Sequence, residues 1–244
     1  VQIFTRNAAR EGARFGAGIA AGTQKSAQGN LFATFAEGIW SGQLSATYER
    51  SAGFSAIDNP KNFSYNPDLD GFRRVGMSAG ISARIAPQIS ATIRVLHNDL
   101  NTQYDGSATF DDRTLTKQSA VQATLDVRGT QLRLGHAEDD SRFDSEFPGA
   151  FRTRTSEASV QHNFALNPNW SLLGAAEWRG ERVATSESFA QNQRNTASAL
   201  ASLNGKLGAA NLQATARIDD SAQFNTRLNG GVGVIVPVAA SLQF

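Results

Sequence analysis

The chain has 244 residues, 23 Lys+Arg against 22 Asp+Glu, a formal net charge of +1 and no cysteine. Balanced charge leaves no electrostatic footprint for nucleic acid or a polybasic membrane patch, and the missing cysteine excludes disulfide frameworks and thiolate metal sites. Mean hydropathy is −0.33, and no run approaches the roughly 18 apolar residues that a membrane helix needs. What remains is a rhythm. About a dozen segments of roughly ten residues alternate apolar with polar, joined by connectors that are short and long in turn, which is the pattern of a transmembrane β-barrel.

The first predicted strand covers about Ala13 to Ala21 and the second about Leu31 to Ile39. A tight turn at Trp40-Ser41-Gly42 leads to a third, with Leu44, Ala46 and Tyr48 on one face and Ser45, Thr47 and Glu49 on the other. Successive side chains of a strand point to opposite faces, so each strand has one apolar and one wet side. A long polar connector, Ser51 to Gly71, precedes the clearest pair. Val75, Met77, Ala79, Ile81, Ala83 and Ile85 form the apolar face of the fourth strand, and Ile89, Ala91, Ile93 and Val95 that of the fifth. They join at Ala86-Pro87-Gln88, where proline is tolerated because the chain turns. Another long connector is expected from Asn98 to Thr114.

The sixth strand carries Val121, Ala123, Leu125 and Val127 outward and turns at Arg128-Gly129-Thr130 into the seventh, around Leu132 and Leu134. A loop from Glu138 to Arg152 is expected before the eighth (Ala158, Val160, His162, Phe164). The turn Leu166-Asn167-Pro168-Asn169 leads to the ninth (Leu172, Gly174, Ala176, Trp178), and a loop from Ala184 to Asn195 follows. The tenth (Ala197, Ala199, Ala201, Leu203) and eleventh (Leu212, Ala214, Ala216, Ile218) meet near Leu207-Gly208-Ala209, and the twelfth starts near Leu228. Alternation resumes at Val232, Val234, Val236, Val238, Ala240, Leu242 and Phe244, with Pro237 as a ladder-breaker best placed at a turn.

Short turns follow even strands and long loops mostly follow odd ones. Barrels of the outer membrane have short periplasmic turns and longer extracellular loops, so this parity orients the chain. Trp40, Phe164 and Trp170 fall beside short turns, where a periplasmic aromatic girdle belongs. Trp178 lies about 19 Å higher, given about 3.4 Å per residue and a tilt near 45°. Arg84, Arg94, Asp126, Glu177, Arg179, Arg217 and Asp219 face inward as a mixed-charge wall. The expected fold is all-β: an antiparallel transmembrane β-barrel of about 12 strands, either complete and small or part of a larger one.

Two extracellular connectors concentrate acid. The first contains Asp58, Asp68 and Asp70, and the second Tyr104, Asp105, Asp111 and Asp112. Calcium takes six to eight oxygens from carboxylates, carbonyls and amides. Asp68 and Asp70 point the same way on an extended segment and can share a cation with Asp105 and Asp111; the competing reading is a solvated acidic rim. Of the histidines, His162 is an interfacial side chain, while His97 and His136 lie near the extracellular rim. His136 precedes Asp139 and Asp140, which invites a hydrolase reading, although a nucleophile–His–acid site is defined by geometry rather than spacing. The chain is expected not to be an enzyme.

Three segments together carry a family resemblance: Val1-Gln2-Ile3-Phe4-Thr5-Arg6, Tyr48-Glu49-Arg50-Ser51-Ala52-Gly53-Phe54, and Asp68-Leu69-Asp70-Gly71-Phe72. In combination they resemble TonB-dependent outer-membrane receptors of the cobalamin-transporter type. So does the stretch Asn211-Leu212-Gln213-Ala214-Thr215-Ala216-Arg217-Ile218-Asp219-Asp220-Ser221-Ala222-Gln223-Phe224. The resemblance implies that residues 1–10 are the last strand of a plug domain and that residues 11–244 are the first part of a 22-stranded barrel. The chain is then a segment of a longer receptor, without the plug and its TonB-binding segment.

The resemblance also implies calcium ligands. Asp68 and Asp70 match a "D-x-D-G-F" pair, Tyr104 and Asp105 a "Y-D" pair, and Asp111 the acid that opens "D-x-R-x-L". Ser55 stands where the family often has aspartate, a loss for which Asp58 is positioned to compensate. The implied cargo is cobalamin or a similar corrinoid, with TonB and outer-membrane lipid as partners and the bacterial outer membrane as location. A siderophore or haem receptor, or a passive porin-like barrel, are the alternatives.

Overall fold

Among the described residues the alternating segments fold as strands, because half of the side chains find an apolar face and half a polar one without disturbing the pleat. The computed structural model describes residues 11–236. The segment read as a plug strand, residues 1–10, and the run from Pro237 to Phe244 lie outside the described residues. The strands are β1 (Gly12–Ala21), β2 (Ala27–Glu37), β3 (Trp40–Phe54), β4 (Asp70–Ala86), β5 (Ile89–Gln103) and β6 (Arg113–Val127). They continue with β7 (Thr130–Asp144), β8 (Gly149–Asn167), β9 (Trp170–Thr185), β10 (Gln193–Leu207), β11 (Ala210–Ser221) and β12 (Arg227–Ile235). All twelve belong to one sheet in sequence order. Each neighbouring pair is antiparallel, and β1 and β12 are its two edges.

Connections from even to odd strands are all two residues long: 38–39, 87–88, 128–129, 168–169 and 208–209. Arg128 (φ 48°) and Gly129 (φ 83°) are both left-handed, the geometry of a type I′ hairpin turn, whose twist matches that of the flanking strands. Opposite connections are longer, 22–26, 55–69, 104–112, 145–148, 186–192 and 222–226. The expected parity is therefore present, with two corrections. The first tight turn is Gly38-Ile39, so Trp40 opens β3 rather than the turn. The segment Glu138 to Arg152 is mostly sheet. β7 and β8 run on above the apolar zone and leave only four connecting residues, because their side chains switch from apolar to paired charge. Arg154 Nε donates to Glu138 Oε2 at 2.7 Å, and Arg152 grips Asp140.

Register sets the two faces. Gly42 pairs with Ile81, Ile81 with Ile93, Ile93 with Ala123, Ala123 with Leu134, and Leu134 with Ala158. This gives one apolar row across six strands. The opposite face carries Ser45–Ser78 and Ser82–Thr92 hydroxyl pairs at 2.8 and 2.9 Å. Arg217 lies on the same side, bridging Glu177 (2.7 Å) and Asp219 (2.8 Å), and Arg179 pairs with Glu181; of the other predicted inward charges, Asp126 accepts from Gln131 instead. No second layer covers either face. Among the described residues Ala83 alone is a buried apolar side chain, while Ile81 is 44% and Leu134 62% exposed. A sheet with its apolar side bare needs lipid there.

Ile81→Arg is expected to cost about 2–4 kcal/mol of folding stability in lipid vesicles, the penalty for a cation near the bilayer midplane. Ser82→Arg, one residue along on the polar face, is expected to leave it nearly unchanged. Equal denaturant midpoints for the two variants would remove the face assignment.

Candidate metal centre

The β4–β5 hairpin puts its two-residue turn at one end and two acidic loops at the other. Because Phe72 still pairs with Thr102 at that far end, loop 55–69 and loop 104–112 emerge side by side. Their mutual placement is fixed by a bulge in β3. The β3–β4 register shifts between Ser51 and Phe54, and Gly53 there adopts φ 67°. A Cβ on Gly53 would lie 1.9 Å from the carbonyl oxygen of Asp70. Glycine is thus required both by its left-handed backbone and by the close approach of β4.

The carboxylates of Asp68, Asp70 and Asp105 converge, with one oxygen from each within 4.8 Å of the others. Backbone and hydroxyl donors hold two of them. Ala56 N–H donates to Asp70 Oδ2 at 2.6 Å, and Ile57 N–H to Asp105 Oδ2 at 2.8 Å. The Ser55 hydroxyl lies 2.8 Å from the carbonyl of Ile57, 3.1 Å from that of Asn66 and 3.4 Å from Asp105 Oδ2. Ser55 therefore ties the two loops at the position where the resemblance expects an acid. Asn66 Nδ2 donates to the carbonyl of Phe110 (3.4 Å) and adds a second tie.

The other predicted residues are arranged differently. Asp111 is engaged by Arg113 and accepts from Gln103 Nε2 at 2.9 Å, so a neighbouring cation already offsets its charge. Tyr104 follows β5, and its N–H donates to the carbonyl of Asp112 at 3.0 Å. Asp58 is exposed and lies outside the three-carboxylate group. Asp112, which spacing did not single out, is only 3% exposed. Its Oδ2 and Asp105 Oδ1 are both buried without a hydrogen-bond partner.

Two orphaned acceptors beside a converging carboxylate trio are costly in electrostatic terms. Burial, followed by the charges of Asp105 and Asp111, pushes the Asp68 carboxyl up. Burial also leads for Asp70, whose upward shift is reinforced by Asp105, Asp68 and Asp111 and opposed by the Ala56 hydrogen bond. An all-oxygen donor set suits a hard cation. Opposite ligands of calcium are about 5 Å apart, twice a 2.3–2.6 Å bond, so the spacing of the trio fits that ion.

The histidines lie elsewhere. His97, His136 and His162 occupy apolar-face register positions, and each Nδ1 meets a cross-strand hydroxyl, of Ser119, Ser156 and Thr130 respectively (2.9, 2.9 and 2.7 Å). The acids near His136 in sequence are engaged by others. Asp139 accepts from Gln118 and Ser141, and Asp140 from Arg142 and Arg152. No His–acid relay forms among the described residues.

No protein-family model matches the chain, and no curated protein does. Solved structures do. The siderophore receptor PirA from Acinetobacter baumannii aligns over 97% of this chain and 42% of its own, at TM-score 0.67 and 11% identity. The ferric enterobactin receptor PfeA from Pseudomonas aeruginosa, solved with enterobactin, aligns over 97% and 44%, at TM-score 0.69 and 10% identity. The FrpB iron transporter from Neisseria meningitidis aligns over 93% and 43%, at TM-score 0.72 and 11% identity. The chain has the fold of a β-barrel wall. At such identities the likeness is one of fold. The chain spans less than half the length of each. In that wall the apolar face is the lipid side, the polar face is the lumen, and the acidic loops stand at the rim.

Raised carboxyls bind protons more readily in the converged loops than in opened ones. Without metal the arrangement is therefore complete below the ordinary carboxylate range and loosens as pH rises through the raised values. Proteolysis of loop 55–69 in chelator is expected to accelerate over that window, and Asp68→Asn to flatten the dependence. Gly53→Ala is expected to open the loop at all pH values, with a backbone cost of about 1–3 kcal/mol, read as protease sensitivity with the barrel still inserted.

Proposed function

We propose that the chain is wall and rim of an outer-membrane uptake receptor driven through TonB, with a calcium-ordered pair of extracellular loops that shapes the cup for cobalamin or a similar corrinoid. The observation that carries this reading is the convergence of Asp68, Asp70 and Asp105 at the rim, beside the orphaned oxygens of Asp105 and Asp112. Three carboxylates that close repel unless a cation lies among them. Asp68, Asp70 and Asp105 would hold calcium directly. Asp112 stands next to them, and Asp111 and Tyr104 of the same loop complete the set that the sequence resemblance implies. Calcium would supply the positive charge that lets the loops close, while the Ser55 hydroxyl links them through the Asp105 carboxylate.

The corrinoid assignment rests on the segments around Tyr48–Phe54, Asp68–Phe72 and Asn211–Phe224. The second reading is a ferric siderophore receptor, favoured by the structural likeness to PirA and PfeA, a siderophore and a ferric enterobactin receptor. The lumen wall is polar and charge-paired in either case, which lets a hydrated cargo pass without a deep electrostatic trap.

Calcium is expected to protect residues 59–65 from protease in outer-membrane vesicles, with an affinity of about 10⁻⁴ to 10⁻³ M, as for other extracellular sites. Asp70→Asn combined with Asp105→Asn is expected to abolish that protection. Equal cleavage of the wild-type loops in calcium and chelator would reduce the acids to a solvated rim. Binding of cobalamin that weakens in chelator supports the corrinoid reading; binding of a ferric siderophore with none of cobalamin would replace it.

A further inference from the structure

Above the apolar zone the lipid-facing side of β3–β6 turns strongly basic. Arg50 pairs directly with Arg73 across β3 and β4. Both share the face of Tyr48 and Met77, since side chains two apart in a strand lie on one side. Like charges directly opposite in a sheet are destabilising. On the lumen side one residue away the same two strands match their charges instead, Glu49 opposite Arg74. The mismatch belongs to the exterior alone.

Arg50 and Arg73 line a cavity of about 440 Å³ with Lys25, Arg113 and Tyr48, and its lining contains no carboxylate. Arg73 reaches Asp99 (3.5 Å) and Arg113 is held by Asp111. Lys25 and Arg50 make no ion pair among the described residues. The height of this cavity is informative. Ten residues separate Trp40, beside the short turn, from Arg50. At about 3.4 Å per residue and a 45° tilt that is about 24 Å, the top of an apolar band about 25 Å tall. Tyr48, 41% exposed, sits just beneath, where an aromatic ring marks the interface.

We propose that this exterior cavity is a binding site for the phosphate of an outer-leaflet lipid headgroup. The phosphate lies between Arg50 and Arg73, within reach of Lys25, and offsets the repulsion of the arginine pair. Guanidinium groups suit this role because their donors match phosphate oxygens in a bidentate fork. A lipid, rather than a free anion, meets the whole surface: its acyl chains cover Val75, Met77 and Ile81 below while its headgroup fills the cavity above. The site does not rest on the calcium reading: Arg50, Arg73 and Lys25 lie outside the carboxylate trio, and the two regions touch only through Arg113 and Asp111.

The test is retention of diphosphoryl lipid A by the purified chain in detergent, counted by native mass spectrometry, with the phosphate-free lipid as comparison. Wild-type protein is expected to retain the phosphorylated lipid selectively, and Arg50→Gln with Arg73→Gln to lose at least about tenfold in retention, the effect of one strong contact. Lys25→Gln with Arg50→Gln serves where the first pair fails to fold, and Arg94→Gln on the lumen side is expected to retain lipid as wild type does. Equal retention of the two lipids would overturn the proposal, as would full retention by either double variant. So would complete displacement by an equal concentration of inorganic phosphate, which would assign the cavity to a free anion.

Discussion

Backbone hydrogen bonding is the constraint on which the rest depends. Every strand from β2 to β11 is paired on both sides, while scarcely any apolar side chain is buried by another. In lipid an unpaired N–H or C=O costs several kcal/mol, so only helices and closed sheets cross a membrane. Strands β2 to β11 meet that demand through their ladders, with β1 and β12 as the edges of the described sheet, and the apolar side chains are left to face the bilayer rather than each other. The absence of a protein core is what such a wall requires.

With the backbone satisfied by neighbours along the sheet, side chains are free to specialise by height and face. Within the apolar band the exterior carries Ile, Val, Leu and Ala, and the lumen side carries hydroxyls and ion pairs. Above the band both faces become charged, but in different ways. The lumen face and the upper part of β7–β8 pair their charges, as in the contacts of Arg217 with Glu177 and Arg154 with Glu138. Two places gather like charge: the carboxylate trio at the rim and the Arg50–Arg73 pair on the exterior, of which only Arg73 meets a carboxylate, that of Asp99. Gathered like charge is electrostatically costly, and in each case a ligand of opposite sign is the simplest relief. The proposed ligands are a cation from the extracellular medium for the trio and an anion from the membrane for the arginines.

The candidate site also shows how little the loops rely on packing. Loop 55–69 is fixed by Ser55, Asp70 and Asp105 through hydrogen bonds and by the bulge at Gly53, with one buried serine, Ser64. Such a structure depends on the protonation of Asp68 and Asp70 and on the glycine at position 53, while the sheet beneath does not.

Strand existence, face and the short-turn parity were all legible in the sequence, because alternation of period two and tight-turn residues are local properties. The outward side of Ile81, Ile93 and Ala123 follows from them, and so does the inward side of Glu177, Arg217 and Asp219. The acids Asp68, Asp70 and Asp105 were legible as candidates for a different reason: a hairpin that turns tightly at one end must bring its two loops together at the other. Tertiary structure alone decided the remainder. It extended β7 and β8 through Glu138 to Arg152, since cross-strand pairing of charges cannot be read from one strand. It drew Asp111 away to Arg113, buried Asp112, and gave Ser55 a bridging role. It also set Arg50 against Arg73, because register is a relation between strands. Local pattern determines what each strand is; only the ladder determines which charges must meet.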